Sequence, residues 1–472
     1  MISRPTPAGP SHRQWLLLVC VFLLSLPAVT PRIYSSDEIQ YFAFLRSAWF
    51  DRDLSFENEY RYFYDRGIGR SDGFHETFLE RTTETGRRLN FGTVGCAILW
   101  APFYGAGHLV AKAIGAPQDG YSKPYLVAIA YASALYGFLG LVLAIRCAER
   151  LGLNGFGGGL AVWLGTPLLF YMYLAPPFAH ACSAFAVALF TYVWLRVRGT
   201  WSPAGLAALG AAGALMAMTR EQDVLLIGAP ALDWLIDAVR GPRGARPGAW
   251  IAGRGFGVVA AAVSFLAAYL PQLVTYTILN GHLGPHSSVS NKMKWYAPHA
   301  LEVLFSPEHG YFIWTPLAML ALVGLAMALR GGRGAAIPPE GGRDVGTRVF
   351  LLLLMMFLLN VFISGSVDSW TVAGGFGQRR FVALTTVLVI GISALLARTR
   401  ARKVWTAAIV ACVYWNLALT AEFATELMDR QKLEPARNAY VAFVVLPRMA
   451  PSLAYRYLFD RQSFYRANPL SR

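Results

Sequence analysis

Residues 91–114, FGTVGCAILWAPFYGAGHLVAKAI, form a stretch apolar enough to cross a membrane, and whether it does decides how the whole chain is threaded. Around it the composition is that of a membrane protein. Of 472 residues 55% are hydrophobic and only 15% charged, and the mean hydropathy is +0.42. Apolar runs of the ~17–25 residues that span ~30 Å of hydrocarbon recur down the sequence, bounded by arginines. With the N-terminus taken as cytoplasmic, spans are predicted near 15–32, 123–146, 158–175, 178–197, 203–219, 222–240, 255–279, 311–330, 348–366, 380–397 and 404–422, about eleven in all. The inside segments then hold 18 basic residues against three acids, as the positive-inside rule requires. Counting 91–114 as a twelfth span would turn the later arginine clusters outside. The charge rule therefore assigns it to the outer interface as a helix lying apolar face down, in keeping with His108, Lys112, Pro102 and its glycines.

The expected class is an all-α integral membrane protein. One polytopic domain runs over 1–423, with 31–122 as a large first external loop containing interfacial helices, and 424–472 forms an interfacial or external tail. A span at 440–459 would return the tail to the inside, but Arg448, Arg456 and two prolines disfavour it. The segment 15–29 reads as a retained first span, since no small-x-small cleavage site follows it. The two glycine- and arginine-rich pieces, 241–248 and 330–343, read as cytoplasmic linkers. The net charge of +15 does not indicate nucleic acid, because the arginines sit in short loops rather than on one soluble face with interleaved aromatics. The five cysteines show no CxxC or metal spacing and read as buried thiols.

On this threading the polar constellations collect at the outer face. Loop 31–90 carries 11 of the 27 acids, among them Asp37 and Glu38 where the first span leaves the bilayer. That pair reads in two ways: as carboxylates in a half-buried cleft, where desolvation tunes them for proton transfer, or as the N-cap of an interfacial helix, SSDE before IQYFAF. The stretch 365–381, GSVDSWTVAGGFGQRRF, brings Asp368, Trp370, Gly374, Gly375, Gly377, Arg379 and Arg380 to a span entrance. Arginines there run against the charge rule, and glycines admit a close ligand, so Arg379 and Arg380 read as phosphate-binding forks. The segment 304–317, LFSPEHGYFIWTPL, places Glu308 and His309 at a broken entry to a span. His180, Arg220 and Glu221 complete the candidate cleft. His282 and His286 lie four apart, which alone does not specify a metal site. Asp233 and Asp237 lie within two helical turns of Arg240, where snorkelling accounts for them.

Asp37-Glu38, the interfacial ILWAPFYGAGH, LFSPEHGYFIWTPL and SWTVAGGFGQRRF together resemble the GT-C superfamily of polytopic glycosyltransferases, in particular bacterial relatives of protein O-mannosyltransferases and of the lipid A aminoarabinose transferase. The resemblance implies transfer of a hexose or pentose from a polyprenyl phosphate or diphosphate to a hydroxyl of a glycan, lipid or protein acceptor, with inversion. It places the active site on the periplasmic side of a bacterial inner membrane. It makes Asp37 the general base, and Glu38 the residue that orients the acceptor or holds a divalent cation. The competing class is a transporter or flippase of a lipid-linked substrate, for which repeat symmetry and ionisable groups at the bilayer midplane would be expected; no repeat is visible.

Overall fold

The structure is a computed structural model that describes residues 9–69, 73–240, 247–330, 342–371, 375–429 and 432–460. The linkers read at 241–248 and 330–343 lie largely outside these residues, as do Arg4, Asp72, Gly374 and the end of the tail from 461. Among the described residues the only regular secondary structure is helical, apart from two isolated bridges, Thr82 with Arg88 and Met293 with Val367.

The first helix, α1 (His12–Ser25), leads into the loop region through α2 (Ser36–Arg46), α3 (Glu57–Asp65) and α4 (Gly95–Ala113). Next come α5 (Lys123–Arg150), α6 (Phe156–Gly165), α7 (Leu168–Tyr173), α8 (His180–Val197), α9 (Pro203–Thr219) and α10 (Gly228–Arg240). The longest helix, α11 (Pro247–Asn280), is followed by the short α12 (Ser287–Ser290), α13 (Ala300–Phe305) and α14 (Tyr311–Trp314). The chain closes with α15 (Leu317–Leu329), α16 (Gly342–Ser366), α17 (Thr385–Arg398), α18 (Arg402–Ala424), α19 (Pro435–Tyr440) and α20 (Leu446–Phe459).

Six helical stretches among the described residues are long and apolar enough to cross a membrane: Lys123–Arg150, His180–Val197, Gly255–Asn280, Gly346–Ser366, Arg379–Arg398 and Arg402–Ala424. Four shorter apolar ones accompany them at His12–Ala28, Phe156–Gly165, Pro203–Thr219 and Leu317–Leu329. Of the expected eleven only 222–240 is then without a counterpart, because it opens with a 3-10 turn, Glu221–Ile227, before α10; the runs 158–175 and 311–330 are shortened because they divide at Thr166-Pro167 and Thr315-Pro316. Proline removes a donor and frees carbonyls of the preceding turn. At the first break these are answered by Asn416 of α18, whose Nδ2 donates to Leu164 O (2.8 Å) and Thr166 O (3.0 Å).

Helix α4 is not one of the spanning candidates. It packs antiparallel along the first half of α5, with Trp100 Nε1 donating to Ser133 Oγ (2.9 Å) and His108 Nδ1 bonded to Tyr125 Oη (2.7 Å). Its outward side chains Leu109 and Val110 remain exposed. The first loop thus forms its own aromatic core around Phe42, Phe56, Tyr60 and Tyr104. Most of the acids near that core answer local arginines: Asp51 and Glu59 pair with Arg46, and Glu57 pairs with Arg61 and Arg88. The main core is tight enough to need glycine where α15 crosses α17, since a Cβ on Gly324 would lie 1.9 Å from Gly391 O.

At the end of the bundle remote from α2, Asp233 does not snorkel. It is fully buried and accepts from Trp194 Nε1 (2.9 Å) and Arg198 Nε (2.9 Å), and Arg348 Nε lies 2.8 Å from it. Asp237 accepts from Trp201 Nε1 (2.8 Å) and Arg348 Nη2 (2.6 Å). Two indole N–H groups and two guanidiniums satisfy these carboxylates inside the protein, so neither has to reach solvent. The network ties α8, α10 and α16 together, as a buried ion pair does when its remaining lone pairs are hydrogen-bonded.

Candidate active site

The segment Ser35-Ser36-Asp37-Glu38 is a capping box, and the fold divides its two acids between different tasks. Ser35 is the N-cap of α2 and its Oγ accepts from Glu38 N (3.4 Å). Glu38 folds back, its Oε2 accepting from Tyr34 N (2.8 Å) and Ser35 N (3.0 Å), and is fully buried. Burial, opposed by those backbone bonds, pushes its carboxyl up to about 8. Cap and cleft are alternatives for the pair in the sequence. In the structure Glu38 takes the cap, and Asp37, one residue earlier in the same turn, points to the interior mouth of the bundle. There its Oδ2 accepts from Arg379 Nη2 at 2.7 Å, with the carboxylate about one-third exposed.

Arg379 opens the 3-10 turn Arg379–Leu384 that leads into α17. Its guanidinium lies 5.3 Å from the centroid of the Phe178 ring. That ring stacks on His180 at 5.8 Å, and the Tyr171 ring lies against the same imidazole at 4.3 Å. Arg220, the residue after α9, donates from Nη1 to His180 Nδ1 (2.8 Å). Since arginine is always a donor, the imidazole is neutral with its proton on Nε2. The charges of Arg220, Arg379 and Arg380 all bear on His180. Tyr41, one turn beyond Asp37 on α2, has Arg220, Asp37 and Arg379 as its charged neighbours.

The glycine-rich run closes one wall. Arg380 is 7% exposed and donates from Nη1 and Nη2 to Ser369 O (3.2 and 3.3 Å), while Gln378 Nε2 donates to Trp370 O (2.8 Å). Arg380 therefore holds the loop, and Arg379 alone of the two meets Asp37. Gly377 has φ +65°, and a Cβ there would lie 2.9 Å from Trp314 Cβ, so no other residue fits. A Cβ on Gly375 would meet the Tyr171 hydroxyl at 3.0 Å. His309 Nδ1 donates to Gly377 O (3.4 Å), and burial pushes that imidazole below its usual range. The other candidates stay apart from Asp37. Glu308 is exposed, Asp368 is exposed and 3.9 Å from Lys294, and Trp370 stacks on His299 at 5.5 Å. His286 caps α12, its Nδ1 accepting from Ser288 N (3.1 Å), and no group of three or more His, Cys, Asp or Glu side chains among the described residues could hold a metal ion.

Sequence reasoning does not single out Tyr41, Tyr171, Phe178 or Gln378. Only Tyr41 carries a signal, its spacing of four from Asp37 on one helix face. The assembled geometry is a partly exposed carboxylate beside a guanidinium, with a neutral imidazole and two further guanidiniums behind it. Such a mouth can receive an anion and take a proton within the same few ångströms.

No protein-family model matches the chain, and no curated protein matches it. Two solved structures do. ArnT from Cupriavidus metallidurans bound to undecaprenyl phosphate superposes with a TM-score of 0.53 at 16% identity, over 96% of this chain and 74% of that one. ArnT from the same organism in the apo state gives 0.51 at 15% identity, over 96% and 73%. The chain has the fold of these two ArnT structures.

Proposed function

We propose that this chain, built on the GT-C fold, transfers a sugar from a polyprenyl-phosphate donor to a hydroxyl at the outer face of the membrane, with Asp37 as general base. The observation that carries the reading is the Asp37–Arg379 contact at 2.7 Å, in a mouth that gathers Arg220, Arg380 and His180. A structural ion pair alone would not call for two more cations around a buried imidazole. A lipid phosphate would.

The chemistry follows from what each group can do. The donor phosphate takes the free edge of the Arg379 guanidinium, whose other edge keeps Asp37 beside it. The acceptor hydroxyl donates its proton to Asp37 while its oxygen forms the new bond to the anomeric carbon. The old carbon–oxygen bond breaks with its electron pair going to the phosphate, whose growing charge Arg379 and Arg220 stabilise. Attack opposite the leaving phosphate inverts the anomeric centre. Arg380 and Gln378 hold the backbone of Ser369 and Trp370 in place, and Glu38 with Ser35 fixes the turn that presents Asp37. The binding of undecaprenyl phosphate by ArnT supports a lipid-phosphate donor here. The bias of 18 basic residues to three acids supports an outward-facing, periplasmic mouth in a bacterial inner membrane.

The test is donor turnover by Asp37→Asn. Asparagine keeps the shape but cannot accept the proton, so turnover falls by about 10²–10⁴-fold. Full turnover by Asp37→Asn beside a dead Glu38→Gln would move the base one residue along and overturn the assignment.

A further inference from the structure

Between the C-terminal turns of α11, the segment 90–92 and Glu221 lies a cleft that opens to solvent. Three polar groups that line it keep hydrogen-bonding capacity unanswered among the described residues. Gln272 is fully buried, and its Oε1 accepts from Val94 N (3.0 Å), which fixes the amide and leaves Nε2 unanswered. Tyr276 lies one turn on along the same face of α11, 6% exposed, with an unanswered hydroxyl. Burial alone acts on the Glu221 carboxyl and pushes it up to about 7.

Polar groups buried this way are normally answered by water or a ligand, and the floor of the cleft has room for about one water. Its chemistry selects what replaces that water. The groups offer a fixed donor, a hydroxyl that can do either, and a carboxyl, while Phe44 and Phe91 supply apolar walls. Among the described residues no lysine or arginine lines it, which disfavours a phosphate as the ligand. The cleft also borders the Asp37 mouth. A Cβ on Gly92 would lie 3.3 Å from the Tyr41 ring, Tyr41 is one turn from Asp37, and Glu221 directly follows Arg220.

We infer that this cleft is a carbohydrate subsite, in which one hydroxyl of a neutral sugar donates to Glu221 and accepts from Gln272 Nε2 beside the Tyr276 hydroxyl. The inference rests on the sugar-transfer reading and names where the uncharged part of a substrate is held. Both the donor sugar and a glycan acceptor present this chemistry.

The experiment uses the full chain in detergent, with undecaprenyl phosphate and a panel of methyl hexosides and pentosides as probes. Saturation-transfer NMR detects the glycosides and titration measures the lipid phosphate. Tyr276→Phe removes only an unanswered hydroxyl and keeps the ring, and Glu221→Leu removes the acceptor. Both bind undecaprenyl phosphate as the wild type does, while affinity for the best glycoside falls about five- to ten-fold in each. If the sugar is the donor's, Tyr276→Phe also weakens an undecaprenyl-phosphate-linked sugar relative to undecaprenyl phosphate; if it is the acceptor's, the two lipids keep their wild-type ratio. Wild-type glycoside binding by both variants overturns the inference, as does absence of glycoside binding to the wild type. Failure of the wild type to bind undecaprenyl phosphate sinks the sugar-transfer reading instead.

Discussion

Replacing Asp37 by asparagine should tighten the binding of a lipid phosphate even as it lowers turnover. Arg379 Nη2 holds Asp37 Oδ2 at 2.7 Å, and the two side chains are 19% and 36% exposed. A phosphate reaching the free edge of that guanidinium would stand roughly 6 Å from the carboxylate, where two unit charges repel by about 3 kcal/mol at an effective dielectric of 20. Solvent reaches Asp37 and Arg379 sits between the charges, so the surviving penalty is about 1 kcal/mol. The Asp37→Asn substitution lifts it, and undecaprenyl phosphate should bind roughly five-fold more tightly. Arg379→Ala acts in the opposite direction, removing a charge-assisted contact of about 1.5–3 kcal/mol, and lysine should replace its fork only in part. Isothermal titration of undecaprenyl phosphate into wild type and both variants, checked for equal thermal stability, reads all three affinities. Unchanged or weaker binding by Asp37→Asn would mean that the phosphate does not sit beside this pair.

Two further outcomes follow from other parts of the fold. Glu38 keeps its proton in the folded state up to about pH 8, while the unfolded chain releases it near 4.5, so the folded state binds more protons and stability falls as pH rises between those values. Glu38→Gln retains an acceptor for the Tyr34 and Ser35 amides without titrating, so its melting temperature should match the wild type at pH 5 and exceed it by roughly 2–4 °C at pH 8.5; parallel curves would refute the burial argument. In protein stripped of its native cysteines, a thiol at the exposed Glu76 should react with an impermeant maleimide from outside and one at the exposed Arg196 should not. Labelling at Arg196 would reverse the orientation.

What can be read from the sequence follows from local physics. Charge bias alone keeps residues 91–114 out of the span count, and the structure gives them a helix packed along half of α5. The S-x-x-E spacing at Ser35 and Glu38 already contains the capping box, which leaves Asp37 free to do something else. The paired arginines at a span entrance stand out by the same charge bias, although only Arg379 reaches Asp37 while Arg380 turns to a carbonyl eleven residues back. The misreadings are tertiary. Snorkelling suggests itself for Asp233 because its partners, Trp194, Arg198 and Arg348, come from other parts of the chain. The spans 158–175 and 311–330 break at Thr-Pro steps, and the freed carbonyls of the first need a distant donor, Asn416, which periodicity along one segment does not reveal. Phe178 and Tyr171 enter the site only because α7 and the turn before α8 fold beneath Arg379.

Native mass spectrometry of the purified protein tests the central claim most directly. The account predicts a retained polyprenyl phosphate, bare or carrying one sugar, on the wild type, and its loss from Arg379→Ala prepared in the same way. A wild type that carries only lipids without a polyprenyl phosphate, or an Arg379→Ala variant that retains the polyprenyl phosphate fully, would contradict it.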